Sequence, residues 1–289
     1  LGTVTIHSSN EVSLLIATNA NISHDMFFRG YAAGIILYNL DITSSMIKRM
    51  EIGYGGSISM EGSLSPFDLK VAGVSMAMNV VDSVIEQFEL SNVGSVTATA
   101  TAIADTNVIF PSSVSSILLN GFISNVTFES MNVTIIGDVT TTYNSIGSFP
   151  KVSLFDISFN VLTDIVECSI EEFDWNVEGN VIGEFEVGQG IAMNFVTSSG
   201  VAGIALKNGN VAMVGTVSGN ENVNDKSSGI ICGSGQCKVA KIEKCTFMVD
   251  GTFIGQQTGL YFDILINFSF LSLFFLFSLF SLFSLFSLF

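Results

Sequence analysis

The chain has 289 residues, 48% of them hydrophobic and only 12% charged, so it can bury a substantial core and does not read as a disordered polymer. Ten basic residues against 26 acidic ones give a net charge of −16, which excludes nucleic acid and anionic lipid headgroups as electrostatic partners. His7 and His24 are the only histidines and read as loop or strand residues, so histidine-dependent catalysis and multi-histidine metal sites have almost nothing to use.

The chain opens on Leu1 with no charged-then-apolar leader, which reads as a fragment or processed form and leaves secretion open. Leu1–Val4 looks like the tail of a motif that recurs further on. Six blocks align without gaps, beginning at Ile47, Ile85, Phe128, Ile170, Leu206 and Ile242. They read IKRMEIGYGGSI, IEQFELSNVGSV, FESMNVTIIGDV, IEEFDWNVEGNV, LKNGNVAMVGTV and IEKCTFMVDGTF. Their tenth position is always glycine: Gly56, Gly94, Gly137, Gly179, Gly215 and Gly251. The twelfth is always apolar: Ile58, Val96, Val139, Val181, Val217 and Phe253. The second is always charged: Lys48, Glu86, Glu129, Glu171, Lys207 and Glu243. Block starts are 36 to 43 residues apart. A second, looser signature precedes several blocks, at Gly34-Ile35-Ile36-Leu37, Gly73-Val74 and Gly229-Ile230-Ile231, and Gly259-Leu260-Tyr261 begins a further unit.

Within a block the fourth, sixth, eighth and twelfth positions are mostly apolar, and the fifth and eleventh mostly polar. That period of two predicts strands with one buried face. The glycine marks a bend or a close backbone approach. Valine, isoleucine, threonine and phenylalanine dominate, separated by Asn, Gly and Ser, as strands and turns require. Val80–Phe88 is the best helical candidate, but it overlaps a block and reads as strand. The pattern therefore predicts an all-β, repetitive parallel β-solenoid (β-helix) over 1–259, with two coils of about 18–21 residues per repeat. The alternative is a β-propeller with one blade per repeat. A single tryptophan, no blade signature and a variable period favour the solenoid, because insertions map to loops. Trp175, in the apolar sixth column, reads as core.

Four cysteines, Cys168, Cys232, Cys237 and Cys245, have no zinc-like spacing; buried free thiols compete with one disulfide within Cys232–Cys245. Asn21, Asn125, Asn132 and Asn267 head N-glycosylation triplets, a weak pointer to a secreted setting. Asp164, Glu167, Glu171, Glu172, Asp174, Glu178, Glu184 and Glu186 crowd into 23 residues. A glycosidase would need two of them at a fixed separation across a cleft. A solvated strand face is the expected reading, ahead of a hard-cation site and of catalysis. No nucleophile elbow or phosphate loop is present, since Gly233-Ser234-Gly235 lacks the following lysine. No catalytic, cofactor-binding or metal-ligating residue is assigned, and no cofactor is expected.

The Gly-apolar units VAMVGTVSGN (Val211–Asn220) and SGIICG (Ser228–Gly233) resemble the GLUG-type repeats of surface adhesins and related β-helical surface proteins. The resemblance is clearest over residues 200–260. It implies an extracellular, repetitive β-solenoid with a structural or adhesive role and carries over no catalytic residue.

The segment 260–289 is a hydrophobic, low-complexity tail, with 26 uncharged residues from Ile264 to Phe289. As a helix these would span about 39 Å at 1.5 Å per residue, enough to cross a bilayer with some tilt. The competing reading is uninformative low complexity, because a repeated Ser-Leu-Phe is also what a short nucleotide repeat encodes. The expectation is a non-enzymatic cell-surface or secreted protein that binds an unknown protein or glycan ligand, with membrane attachment through this tail. The alternative is a β-helical polysaccharide-active enzyme.

Overall fold

Runs rich in β-branched and aromatic residues, alternating with small polar ones, commit this chain to extended backbone. The computed structural model describes residues 2–7, 12–19, 22–25, 30–64, 69–102, 113–143, 152–161, 168–183, 190–197, 204–218, 226–231, 239–254 and 257–261. These form 23 strands in one sheet and no helix. A first turn of chain holds β1 (Gly2–His7), β2 (Val12–Asn19) and β3 (Ile22–Asp25); a second holds β4 (Gly30–Thr43), β5 (Met46–Gly55) and β6 (Ile58–Leu64). The third has β7 (Leu69–Ile85), β8 (Phe88–Val93) and β9 (Val96–Ala102), and the fourth β10 (Ser113–Phe128), β11 (Met131–Ile136) and β12 (Val139–Tyr143). The fifth has β13 (Val152–Val161), β14 (Cys168–Glu171), β15 (Asp174–Glu178) and β16 (Val181–Gly183). The sixth has β17 (Gly190–Thr197), β18 (Ile204–Lys207) and β19 (Asn210–Ser218). The seventh has β20 (Lys226–Ile231), β21 (Val239–Glu243) and β22 (Thr246–Ile254), and β23 (Gln257–Tyr261) begins an eighth.

Each strand pairs in parallel with its counterpart one turn on. The first wall runs β1, β4, β7, β10, β13, β17, β20, β23. The second runs β2, β5, β8, β11, β15, β19, β22. The third runs β3, β6, β9, β12, β16 and then the end of β19. The result is an all-β, solenoid-like stack. Among the described residues every pairing is parallel, so the propeller, whose blades are antiparallel, is ruled out.

Two expectations need correction. The whole 36–43-residue repeat is a single turn rather than two coils, since block residues pair directly with the next block, as Val139 does with Val181. First-wall strands of 14, 17 and 16 residues take up the length assigned to a second coil. Leu1–Val4 is also no block end, because Gly2 and Val4 pair with Leu37 and Leu40 of the first wall. The first turn's counterpart of the block begins at Val12, opposite Ile47, and closes at Ile22, opposite Ile58. The register slips by one residue between Val12 and Ser13, so this copy is shorter than the gap-free blocks, which hid it. Val80–Phe88 is strand in β7 and β8, as expected. β23 carries the sheet to Tyr261, and the tail after it lies outside the described residues.

The block glycines form a straight column at the corner between second and third walls. Gly215 pairs with Gly251, the N–H of Gly94 donates to the carbonyl of Ile136, and that of Gly137 to Glu178. Gly94 and Gly137 have φ of 153° and 140°, which L side chains rarely adopt. A Cβ on Gly94 would fall on the carbonyl oxygen of Gly56, and one on Gly137 would fall on that of Gly94. Beside this column Ile58, Val96, Val139, Val181 and Val217 stack in register and are buried; Phe253 follows in backbone register.

Inside, the sixth block column is buried from Ile52 through Trp175 to Phe247. Trp175 packs edge-on against Phe155 at 5.5 Å between ring centroids and tilts over Phe173 at 4.8 Å. Phe88, Phe128 and Phe159 stack through three successive turns at 5.7 and 6.1 Å. The upstream signature finds its reason here. A Cβ on Gly34 would meet the ring of Tyr54, and one on Gly73 the carboxamide of Asn92. Small residues on the first wall thus make room for the eighth block column across the core.

Gly94→Ala should lower the free energy of unfolding by about 2–6 kcal/mol, combining a strained φ with a backbone overlap. Gly53→Ala, whose Cβ would meet only the movable hydroxyl of Ser91, should cost under about 1 kcal/mol. Equal losses for the two in chemical denaturation would contradict the column's role.

Candidate functional site

The outward faces carry the polar chemistry, and one turn per repeat sets its spacing. The second block position forms a column at the corner before the second wall, with Glu171 paired to Lys207 and Lys207 to Glu243. The N–H of Glu86 donates to Ile47 and that of Glu129 to Ile85, which carries the same column through the earlier turns. Neighbouring members are one strand spacing apart, about 4.8 Å, rather than the roughly 10 Å that two coils per repeat would give.

Opposite charges relieve the column at its later end. Lys207 Nζ lies 2.8 Å from Glu171 Oε1, and the hydroxyl of Ser169 donates to the same oxygen at 3.1 Å. The hydrogen bond from Lys207 holds the Glu171 carboxyl below the usual carboxylate range; partial burial opposes it, and Ser169 and the ammonium charge reinforce it. At the second turn Arg49 bridges Glu51 at 2.7 Å and Glu89 at 3.5 Å. That cluster was missed, because Arg49 and Glu51 alternate on one strand face while Glu89 arrives only through the register of Glu51 with Glu89.

Carboxamide ladders hold the corners. Asp138 Oδ1 accepts from the N–H and the Nδ2 of Asn180, and Asn180 Oδ1 accepts from the N–H of Thr216. Asn79 Nδ2 donates to Asp41 at 2.7 Å, and Asn125 Nδ2 to Asp82 at 2.9 Å. Each polar side chain links one turn to the next, so these bonds fix axial alignment as well as satisfying exposed groups.

Of the eight crowded carboxylates, Asp164, Glu167, Glu184 and Glu186 lie outside the described residues. Glu172, at a left-handed corner with φ of 49°, is exposed, as are Asp174 and Glu178. Asp174 and Glu178 share the outer face of β15 but stand four residues apart, about 13 Å of extended backbone. Among the described residues no group of three or more His, Cys, Asp or Glu side chains could hold a metal ion. His7 ends β1 and His24 lies in β3.

Cys168 and Cys245 are buried; Cys232 and Cys237, the other ends of the disulfide weighed within Cys232–Cys245, lie outside the described residues. Burial pushes the Cys168 thiol up, against weaker lowering by backbone hydrogen bonds from Val126 and Asn125. The Sγ of Cys245 donates to the carbonyl of Leu206 at 3.5 Å. Both thiols are packing groups rather than nucleophiles.

Searches with this chain match no family model, no curated protein and no solved structure.

Lys207→Met should return the Glu171 carboxyl toward its ordinary value, read by NMR titration of the side chain. The folded carboxyl titrates below its unfolded value, so the pair stabilises the fold above the usual carboxylate range and loses that contribution as pH falls through the folded value. Both side chains are about a third exposed or less, at 27% and 33%, and the loss near neutral pH should not exceed about 1 kcal/mol. An unchanged Glu171 titration would show that the contact does not form in solution.

Proposed function

We propose that this chain is a parallel β-solenoid acting outside the cell or on its surface, in an adhesive or structural role and without catalysis. The observation that carries the reading is the placement of the carboxylates. A hydrolase acting on polysaccharide needs two carboxyl groups roughly 5–9.5 Å apart, one of them held protonated by a raised pKa. Among the described carboxylates of the acidic stretch, Asp174 and Glu178 are too far apart along their strand, and Glu171 is pulled the other way by Lys207. Glu171 is therefore suited to holding turns together and not to donating a proton.

A stack in which only the core columns are constrained leaves its outer faces free to carry ligand contacts, as a surface repeat protein requires. The likeness of Val211–Asn220 and Ser228–Gly233 to GLUG-type adhesin repeats points the same way. The ligand is a protein or a glycan. The uncharged stretch from Ile264 to Phe289 supports attachment to a membrane at the C-terminal side. Among the described residues no helix is long and apolar enough to cross a membrane, and that stretch lies beyond them.

Labelling of intact cells with a membrane-impermeant amine reagent is the decisive measurement. Modification of the chain before lysis supports the reading; protection until the cells are broken overturns it. Release of reducing ends from a polysaccharide panel, abolished by Asp174→Asn or Glu178→Gln, would instead establish the enzyme.

A further inference from the structure

The fourth turn carries two N-glycosylation triplets, Asn125-Val126-Thr127 and Asn132-Val133-Thr134, and the structure places both in the same way. Val126 and Val133 are each 1% exposed and point into the core. In a strand that turns the flanking residues outward, so Asn125 and Asn132 are exposed and Thr127 and Thr134 half-buried on the outer surface. Asn125 sits at the bend within β10 with φ of 53°, a left-handed conformation that asparagine tolerates better than most residues. Asn132 lies on the open face of the second wall, in register between Glu89 and Asp174.

Asn92 in the core and Asn180, bonded to both neighbouring turns, lack the acceptor pattern. Asn92 is fully buried, donating to Ser116 and to the carbonyl of Gly94, and is followed by Val93-Gly94. Asn180, whose side chain bonds both neighbouring turns, is followed by Val181-Ile182. The exposed Asn176 and Asn210 have Glu178 and Ala212 at the second following position, and so no hydroxyl.

We infer that Asn125 and Asn132 are N-glycosylated, so that the fourth turn carries two oligosaccharides on its outer surface. The inference rests on the chain passing through a secretory route, as the proposed function requires. In the transfer the side-chain amide nitrogen forms a bond to the anomeric carbon of a lipid-diphosphate-linked oligosaccharide. The carbon–oxygen bond to the diphosphate breaks, the lipid diphosphate leaves, and the amide proton passes to a base of the transferase. The acceptor hydroxyl at Thr127 or Thr134 is what the transferase reads. Neither glycan conflicts with the fold. The nitrogen of Asn125 keeps one N–H, enough to hold its bond to Asp82, and Asn132 has open surface around it. A glycan on a buried position such as Asn92 would instead block closure of the turn.

The full chain, isolated from cells that make it after surface labelling, is treated with an amidase that releases N-linked glycans and mapped by peptide mass. Conversion of Asn125 and Asn132 to aspartate, with Asn176 and Asn210 unchanged, is the expected result. Asn125→Gln and Asn132→Gln should each remove one whole glycan from the intact mass. Thr127→Ser should retain the modification and Thr127→Val abolish it, a distinction that loss of folding would not produce. Surface-labelled chain with both asparagines bare overturns the glycan inference and leaves the surface reading standing. Bare chain that is also shielded from the surface label overturns both. Modification at one position alone defeats the inference for the other.

Discussion

Parallel pairing of each turn with the next, at one strand spacing, is the constraint on which everything else in this molecule depends. Every backbone group in a wall must find its partner in the turn before or after, so each position lies directly against its own counterpart. A residue type that works at a position tends to work there in every turn. At the glycine corner the constraint is hardest. The carbonyl of one glycine occupies the space where the next would carry a side chain, so Gly94 is fixed by Gly56 and Gly137 by Gly94.

The same stacking divides the molecule into an interior that tolerates little and an exterior that tolerates much. Rings such as Phe88, Phe128 and Phe159 interlock across turns, and Trp175 is wedged between Phe155 and Phe173. Where the interior accepts a polar group, a neighbour gives way. Asn92 fits because Gly73 has no side chain, and it reaches Ser116 of the next turn, though its Oδ1 has no donor among the described residues. Outside, the rungs are made from whatever pairs at one strand spacing: Lys207 with Glu171, Asn180 with Asp138, Asn79 with Asp41.

This division bears on function. A catalytic constellation needs several groups converging on one point, and in a parallel stack they must come from adjacent columns or successive turns. Within the crowded stretch the described carboxylates follow the columns: Glu171 neutralises a neighbour, and Asp174 and Glu178 face solvent. Under the proposed reading, the outer faces carry contacts with a partner or a coat rather than chemistry on a substrate.

The sequence by itself determined the strands, the inward columns, the glycine corner and the charged second position, because each of these is a local preference repeated at a fixed interval. Residues such as Val139 and Trp175 declared their burial through alternation alone. Only the tertiary structure decided that one repeat makes one turn, since a repeat length fixes a period along the chain but not how many times the chain bends within it. It also decided why glycine stands at positions 34 and 73, which answers to Tyr54 and Asn92 on another wall. The same holds for the first turn's block, hidden by a one-residue slip in register after Val12, and for Arg49 meeting Glu89, a pairing set by register across 40 residues. Those facts depend on which segments lie side by side, and that is settled by the packing of the whole stack rather than by any stretch of chain within it.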